Sequence, residues 1–444
     1  KNEKFSINFN QDYTSLSVVG KSGYRIFTLS SVDRVDEIFC SNHENTRIAE
    51  RLFSSSLVAV VTVGEPNKLK VCHFKKGAEI CNYGYPSTIL TVKLNRQRLI
   101  VCLRDSIYIH NIRDMKLLHS IRHITPNESG LCTLSLNSQL AYPVSSTTGE
   151  FQIFDAMKLN SSINIKAHDS SLSAMNFSPD GDLIATASER GTVIRVFCVK
   201  NGQRVHEFRR GVKRNVRIAS LMFSSCADYV CVSSNTETVH IFKIDRKAAE
   251  NAQSQKLPSD NNDNTSSNED LESKKPTSES RWSGLGFLTK AVSSYFPSQV
   301  SDVLSQDRAF ATVQLAQPGL KYVCVLGKLE KQTHLLIASE DGFLYIYNVD
   351  ETKGGECKLL KVHDLRNPLH DVTELGMNES TCDKITNTNG RSKSSSTYAG
   401  VLRGSRKDSM SDSDKCRDLS EAVDSPPKSI FDEVQFPPMT SVRE

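Results

Sequence analysis

The sequence predicts an all-β protein, a seven-bladed β-propeller, on three observations: a strand pattern that recurs seven times, a spacing near one propeller repeat, and turn residues between the strands. The pattern is an alternating strand ending in an aromatic residue or histidine. It occurs as Tyr24-Arg25-Ile26-Phe27, Val71-Cys72-His73-Phe74, Ile107-Tyr108-Ile109-His110, Phe151-Gln152-Ile153-Phe154, Ile194-Arg195-Val196-Phe197, Val239-His240-Ile241-Phe242 and Leu344-Tyr345-Ile346-Tyr347. The last residues of these units lie 47, 36, 44, 43, 45 and 105 apart. Five of the six spacings, 36 to 47, scatter around a period of about 40 to 45 residues, and the sixth leaves an insertion of roughly 60 residues before the seventh blade.

Turn chemistry supports the same reading. Ser178-Pro179-Asp180-Gly181, Glu189-Arg190-Gly191 and Asp341-Gly342 supply the residues that tight hairpins need. The stretch from His168 through Asp180-Gly181 and Ser188 to Phe197 resembles a WD-repeat blade whose signature dipeptide has eroded. The propeller is expected over residues 5–350. Within it, residues 247–310 form the insertion, and Ala252 to Arg281 are so rich in Ser, Asn, Asp, Lys and Pro that burial cannot offset their ordering entropy. Residues 351–444 lack sustained periodicity and are expected to be a disordered tail.

Composition excludes several classes. Of 444 residues, 38% are hydrophobic and 24% charged, and the net charge is only +4. An anionic partner must therefore meet a local patch rather than a global field, and nucleic acid is not expected. The 12 cysteines include no Cys-x-x-Cys pair and no zinc spacing. Several, such as Cys72, Cys102 and Cys198, sit in apolar strands and are expected as reduced, buried thiols. The longest apolar run, Leu57 to Val63, is far short of the ~20 residues that cross a bilayer, so membrane contact is expected to be peripheral. Without a Cys-x5-Arg loop in a strand-to-helix context, a His-Glu-x-x-His or a Gly-rich Lys motif, phosphatase or other hydrolase chemistry finds no support. No enzyme activity, metal or cofactor is expected.

The strongest basic cluster of the folded body runs from Arg204 to Arg217. It holds Arg204, Arg209, Arg210, Lys213, Arg214 and Arg217 against one acid, Glu207. A solvated, edge-protecting run is the plain alternative. Arg209 and Arg210 are adjacent, however, and on a strand they point to opposite sides, toward the blades before and after. Two anion sites flanking one strand follow, because a guanidinium matches phosphate oxygens bidentately. Ser188, Arg190 and Thr192 share one face in the earlier repeat, and Ser234, Thr236, Thr238 and His240 do so in the later one. Hydroxyls and an imidazole beside an arginine suit a phosphorylated polyol.

The insertion carries a second signal. Trp282, Leu285, Leu288, Val292, Tyr295 and Phe296 fall on one side of a helix that stops at Pro297. With Gly284 and Gly286 inside it, residues 282–297 are marginal as a helix in water and suited to folding on a membrane interface. Packing against the propeller flank is the alternative.

Phe208-Arg209-Arg210-Gly211, followed by the run from Ser233 to Phe242, together with the runs Arg51 to Leu57 and Leu94 to Leu99, resembles the PROPPIN family, specifically its WIPI-type autophagy propellers. The resemblance implies two headgroup sites for phosphatidylinositol 3-phosphate and phosphatidylinositol 3,5-bisphosphate. The first would comprise His168, Ser188, Thr192, Arg195 and Arg209, and the second Arg210, Ser234, Thr238 and His240. Thr192 and Arg195 differ in parity, so they share a ligand only if Thr192 lies in a turn. The resemblance also implies that the insertion enters bilayers and that a basic surface in the second and third repeats, with Arg96, Arg98, Arg113 and Lys116 in it, receives an acidic coiled-coil segment. Arg96, Arg113 and Lys116 match the family's partner positions; solvated charge is an equal alternative. Phe431-Asp432-Glu433-Val434 resembles the short motif read by ubiquitin-like modifiers. The expected protein is a non-enzymatic phosphoinositide effector, monomeric in solution, cytoplasmic and peripheral on phagophore and endosomal membranes, where it recruits autophagy conjugation or lipid-transfer proteins. A propeller scaffold without lipid selectivity is the competing function.

Overall fold

The computed structural model describes residues 3–41, 45–211, 215–254, 309–367 and 412–423. Seven sheets follow one another in chain order, antiparallel apart from a short pairing of Ala311–Gln314 with Gly355–Glu356. The recurring units are the third strands of these blades: Gly23–Leu29, Lys68–His73, Ser106–Asn111, Gly149–Asp155, Val193–Cys198, Thr238–Lys243 and Phe343–Asn348. Their apolar ends are shielded because each faces a neighbouring blade. Phe27 and Phe242 are fully buried.

Burial is most complete in the second strands and falls toward the outer ones. The second strands of blades three, five and six (Arg98–Cys102, Leu183–Ser188 and Tyr229–Ser234) are buried at every residue, whereas the outer strand of blade three, Leu117–Arg122, is exposed or half-buried throughout. A second strand lies between two neighbouring strands and two neighbouring blades, so both of its faces are covered and a continuous apolar run is favoured over alternation. The core is accordingly a ring of inter-blade layers. One layer joins Leu183, Ile194 and Phe208 of blade five to Phe223, Val232 and Phe242 of blade six.

Blade one is built from four consecutive strands, Ser6–Phe9, Ser15–Gly20, Gly23–Leu29 and Val35–Ser41, so it is complete without a strand from the far end of the chain. Closure falls to contacts between blades seven and one. The Phe5 amide donates to the Glu340 carbonyl at 2.7 Å, Arg25 donates to the Arg366 carbonyl at 2.6 Å, and an apolar layer containing Leu16, Phe27, Leu336 and Leu344 fills the space between them.

The domain extends past the expected limit at residue 350, because the outer strand of blade seven is Lys358–Asp364, paired with Phe343–Asn348. The periodicity there is weak because an outer strand has one exposed face. The insertion lies inside blade six, between its third strand and its outer strand Ala311–Gln314. It opens with helix α1, Arg246–Ser254. Asp245 caps α1 by accepting from the amides of Lys247 at 3.0 Å and Ala248 at 3.4 Å. Arg246 then pins the helix to Asp228 at 2.9 Å and Asp180 at 3.0 Å, in turns of blades six and five.

Within the expected tail, Asp412–Val423 forms a helix, α2, that packs on blade two. Trp282, Leu285, Leu288, Val292, Tyr295, Phe296, Lys213, Arg214 and the Phe431 to Val434 motif lie outside the described residues. Cys102 and Cys198 are buried and Cys72 half-buried, all as free thiols.

Gly191 closes the turn between the second and third strands of blade five at φ +61, and a Cβ there would stand 2.1 Å from the Val216 carbonyl oxygen of the next blade. Gly191→Ala therefore combines left-handed strain with a backbone clash and is expected to cost about 1–3 kcal/mol or more. Thermal unfolding checks this; an unchanged midpoint would contradict the close approach of blades five and six at this turn.

Candidate functional site

The outer strand of blade five is Arg204–Arg209, and its register against the third strand pairs Glu207 with Arg195 and Arg209 with Val193. The motif is thus part of blade five itself. Arg209 and Glu207 share the face toward blade four, where Arg195 donates to the Ala167 carbonyl at 2.6 Å. Phe208 and Arg210 take the opposite side. Phe208 is buried and stacks on Phe242 of blade six with centroids 4.9 Å apart and planes inclined by 14°. The Arg210 amide bonds to the Thr192 carbonyl at 2.9 Å, which carries the chain past the strand end and directs the guanidinium to Thr236 Oγ1 of blade six at 3.5 Å. One buried aromatic residue beside these two arginines fixes which groove each arginine enters.

The groove between blades four and five gathers the first set of residues. His168 ends the outer strand of blade four, and its Nε2 lies 3.0 Å from Thr186 Oγ1 of blade five. Ser188 ends the second strand of blade five and is buried. Thr192 lies in the turn before the third strand, which is the placement that reconciles its parity with that of Arg195. These residues and Arg209 sit at one edge of the blade.

Arg195 stands deeper in the groove and is committed to Glu207 at 2.9 Å as well as to Ala167. Glu207 also holds Arg204 at 2.8 Å and approaches Arg209 at 3.7 Å. Burial opposes ionisation of this carboxyl, but the hydrogen bond from Arg195 and the charges of Arg195, Arg204 and Arg209 outweigh it and leave its pKa below the ordinary value. The acid thus organises three arginines, of which Arg209 is the most exposed, at 56% of its side chain. A cleft of ≈ 440 Å³ continues from Arg195 past Lys166 and Arg204, away from His168 and Arg209.

The second set meets between blades five and six. Ser234 is buried at the end of the second strand, with its Oγ 2.8 Å from Thr236 Oγ1. Thr238 and His240 follow on the third strand, where Thr238 bonds to Gln314 of the outer strand at 3.4 Å. His240 is close enough to Arg210 for that charge to bear on its titration. Thr236 links Arg210 to Ser234, although the family resemblance does not imply it for the second site. The period-two face of the later repeat groups it with Ser234, Thr238 and His240. Glu207 could have been found, two residues before Arg209 on the same side.

Arg96, Arg98, Arg113 and Lys116 all belong to blade three, rather than being divided between the second and third repeats. Arg98 is buried and donates to the Ala156 carbonyl at 2.7 Å, so it is structural. Arg96 lies over the Phe53 ring of blade two at 4.7 Å, and Lys116 is 3.9 Å from Asp114.

The fold and site together define a seven-bladed propeller with two cationic inter-blade grooves on either side of one strand. The PROPPIN family model matches residues 4–259 and 251–366, and the chain belongs to that family. It is 52% identical over 373 residues to WD repeat domain phosphoinositide-interacting protein 2 of Xenopus laevis, covering 83% of this chain and 80% of the relative. Identity is 49% over 362 residues with WD repeat domain phosphoinositide-interacting protein 1 of Homo sapiens, covering 80% and 76%. With autophagy-related protein 18 of Caenorhabditis elegans it is 36% over 372 residues, covering 81% and 85%. Among solved structures, the complex of KlAtg21 with the coiled-coil of AgAtg16 superposes with a TM-score of 0.61 at 26% identity, covering 82% of this chain and 99% of that one.

Both groove histidines resist protonation. Burial, then the positive charge of Arg195, pushes the pKa of His168 down to about 4, despite opposing contributions from Thr186, Glu207 and Asp169. Burial, then Arg210, does the same to His240, to about 4. An unfolded histidine titrates near 6.5, so between these values the unfolded chain binds more protons than the folded one. Stability is expected to be full above about pH 6.5 and to fall as pH drops toward 4, with a slope of at most about 1.4 kcal/mol per pH unit from each histidine. Denaturant titrations at pH 7 and pH 5 check this, with His168→Asn/His240→Asn expected to flatten the dependence. An equally steep loss in the double variant would assign it to other groups.

Proposed function

We propose that the chain is a non-enzymatic effector that binds phosphatidylinositol 3-phosphate and phosphatidylinositol 3,5-bisphosphate through two headgroup sites and recruits autophagy machinery to forming autophagosomes and endosomal membranes. The observation that carries this reading is the division of Arg209 and Arg210 between two grooves, each supplied with hydroxyls and a neutral histidine. His168, Ser188, Thr192, Arg195 and Arg209 would take one headgroup, with Arg195 and Glu207 holding the groove in shape. Arg210, Ser234, Thr238 and His240, joined by Thr236, would take the other. Dense hydrogen-bonding capacity, with no activated nucleophile among these residues, suits recognition of a phosphorylated ring rather than its hydrolysis.

The insertion would add hold through residues 282–297. It leaves blade six after Lys243, whereas the headgroup residues cluster around Thr238 at the other end of the same strand. Five steps of roughly 3.4 Å separate the two ends by about 17 Å. Both reach one bilayer by the shortest path if the propeller stands with its rim, rather than a flat face, toward the membrane. Two weak headgroup contacts and one weak amphipathic contact on a single body gain avidity without any new interaction.

Several relatives are named for phosphoinositide interaction or autophagy, and one solved relative is in complex with a coiled coil. These names support the lipid class and the recruiting role. Arg96, Arg113 and Lys116 would form the partner surface, for an acidic helical segment of the conjugation machinery.

Flotation with vesicles containing phosphatidylinositol 3-phosphate tests the lipid reading. Arg209→Thr with Arg210→Thr removes two charge-assisted contacts of about 1.5–3 kcal/mol each and is expected to weaken binding at least about tenfold. Equal flotation of the double variant, or of wild type on vesicles lacking the lipid, would leave a scaffold without lipid selectivity. Deletion of residues 282–297 is expected to weaken flotation while keeping the headgroup preference; a changed preference would make the insertion part of recognition.

A further inference from the structure

Helix α2, Asp412–Val423, spans 12 residues, a length at which helices are marginal in water, so its docking site has to stabilise it. Leu419, Ala422 and Val423 stand at positions i, i+3 and i+4, on one face. All three are buried, in the same apolar cluster as Leu69 and Val71 of blade two and Ile112 and Met115 of blade three. The opposite character surrounds that face. The helix carries Asp412, Asp414, Asp418 and Glu421 against Lys415 and Arg417, four acids to two bases. Asp418 and Glu421 reach Lys76 of blade two at 3.4 and 2.8 Å.

Lys76 lies in the turn between the third and outer strands of blade two, Lys68–His73 and Ala78–Gly84. Arg113 and Lys116 lie in the corresponding turn of blade three, and Arg96 lies between that blade's first two strands, Thr91–Leu94 and Arg98–Cys102. In a four-stranded antiparallel blade the first and third turns fall on the same edge. The four cations therefore rim one side of the blade two and blade three layer into which α2 inserts. Phe53, from the first turn of blade two, borders that layer and carries Arg96 over its ring at 4.7 Å. Acids on these two blades include Asp114, 3.9 Å from Lys116, and Glu79, which accepts from Asn82.

We propose that α2 is a displaceable occupant, supplied by the chain itself, of a docking groove whose ligand in trans is an acidic amphipathic helix. The groove offers what such a helix needs: an apolar floor for residues at i, i+3 and i+4, and cations at the rim for the acids beside them. While α2 is docked it covers the floor and engages Lys76, so an incoming helix must displace it. Tethering places α2 at a local concentration on the order of mM, which holds weak trans ligands off and lets a stronger or locally concentrated one bind. The partner surface of Arg96, Arg113 and Lys116 would then be latent in the free chain. Only the identity of the trans ligand rests on the proposed recruiting function; the occupancy by α2 does not.

A fluorescent peptide of residues 409–425, titrated into the full chain, tests the proposal without any other protein. Leu419→Asp with Val423→Asp in the chain's own helix is expected to free the groove, so that the wild-type peptide binds this variant at least about tenfold more tightly than it binds the wild-type chain. Adding Lys76→Glu to the freed variant is expected to weaken the peptide, and a peptide with Asp418→Lys and Glu421→Lys to recover affinity for that chain. Equal peptide binding to wild type and freed variant, or binding to neither, would overturn the proposal. Sedimentation of the wild-type chain distinguishes an internal occupant from exchange between copies: a monomer is expected, and a dimer lost on Leu419→Asp/Val423→Asp would overturn the internal arrangement. If the peptide behaves as expected and a partner pull-down fails, the recruiting function falls while the groove stands.

Discussion

A single buried aromatic residue governs how this propeller presents its charges. Phe208 faces blade six and stacks on Phe242, and strand alternation then sends Arg209 one way and Arg210 the other. Were the outer strand of blade five to slip by one residue, Phe208 would be exposed and both arginines would exchange grooves. The apolar layer between blades five and six makes that slip costly, because a one-residue change of register turns a whole face out of the core. The charge pattern of the rim is thus secured by packing beneath it.

Electrostatics within each groove depend on that arrangement. Glu207 shares the Arg209 face and gathers Arg195 and Arg204, so three guanidiniums lie close together without unopposed repulsion. In the neighbouring groove, hydroxyls of Thr236 and Ser234 line the approach to Arg210. The two grooves are chemically related but not equivalent, one shaped by an ion-pair network and the other by a short chain of hydroxyls.

Elements outside the repeats follow a different logic. Helix α1 is short but is held by an Asp245 cap and by Arg246 bonded to two blades, so the insertion starts from a fixed point. Helix α2 is held differently, by three apolar side chains set into the blade layer and by Lys76 at its rim. Its signal in the sequence, Leu419 followed by Ala422-Val423 after Asp412 and Asp414, is too brief to separate from a polar tail. The outer strand of blade seven was hidden for a related reason, since over Lys358–Asp364 only the polar His363 is buried, which gives little apolar contrast.

The recurrence of strands ending in buried aromatic residues was enough to determine seven blades, because a well-shielded third strand leaves little freedom in which residues fill it. The adjacency of Arg209 and Arg210 was likewise enough to point to two grooves, since period-two alternation is a property of any strand. The register of Glu207 against Arg195, the bridge from Thr236 to Arg210 and the turn position of Thr192 depended on which strands meet. Cross-strand and cross-blade contacts join residues far apart in the chain, and only tertiary structure decided them. It alone also brought α2 onto the rim of blades two and three, where an apolar layer and Lys76 supply the stability that twelve isolated residues lack.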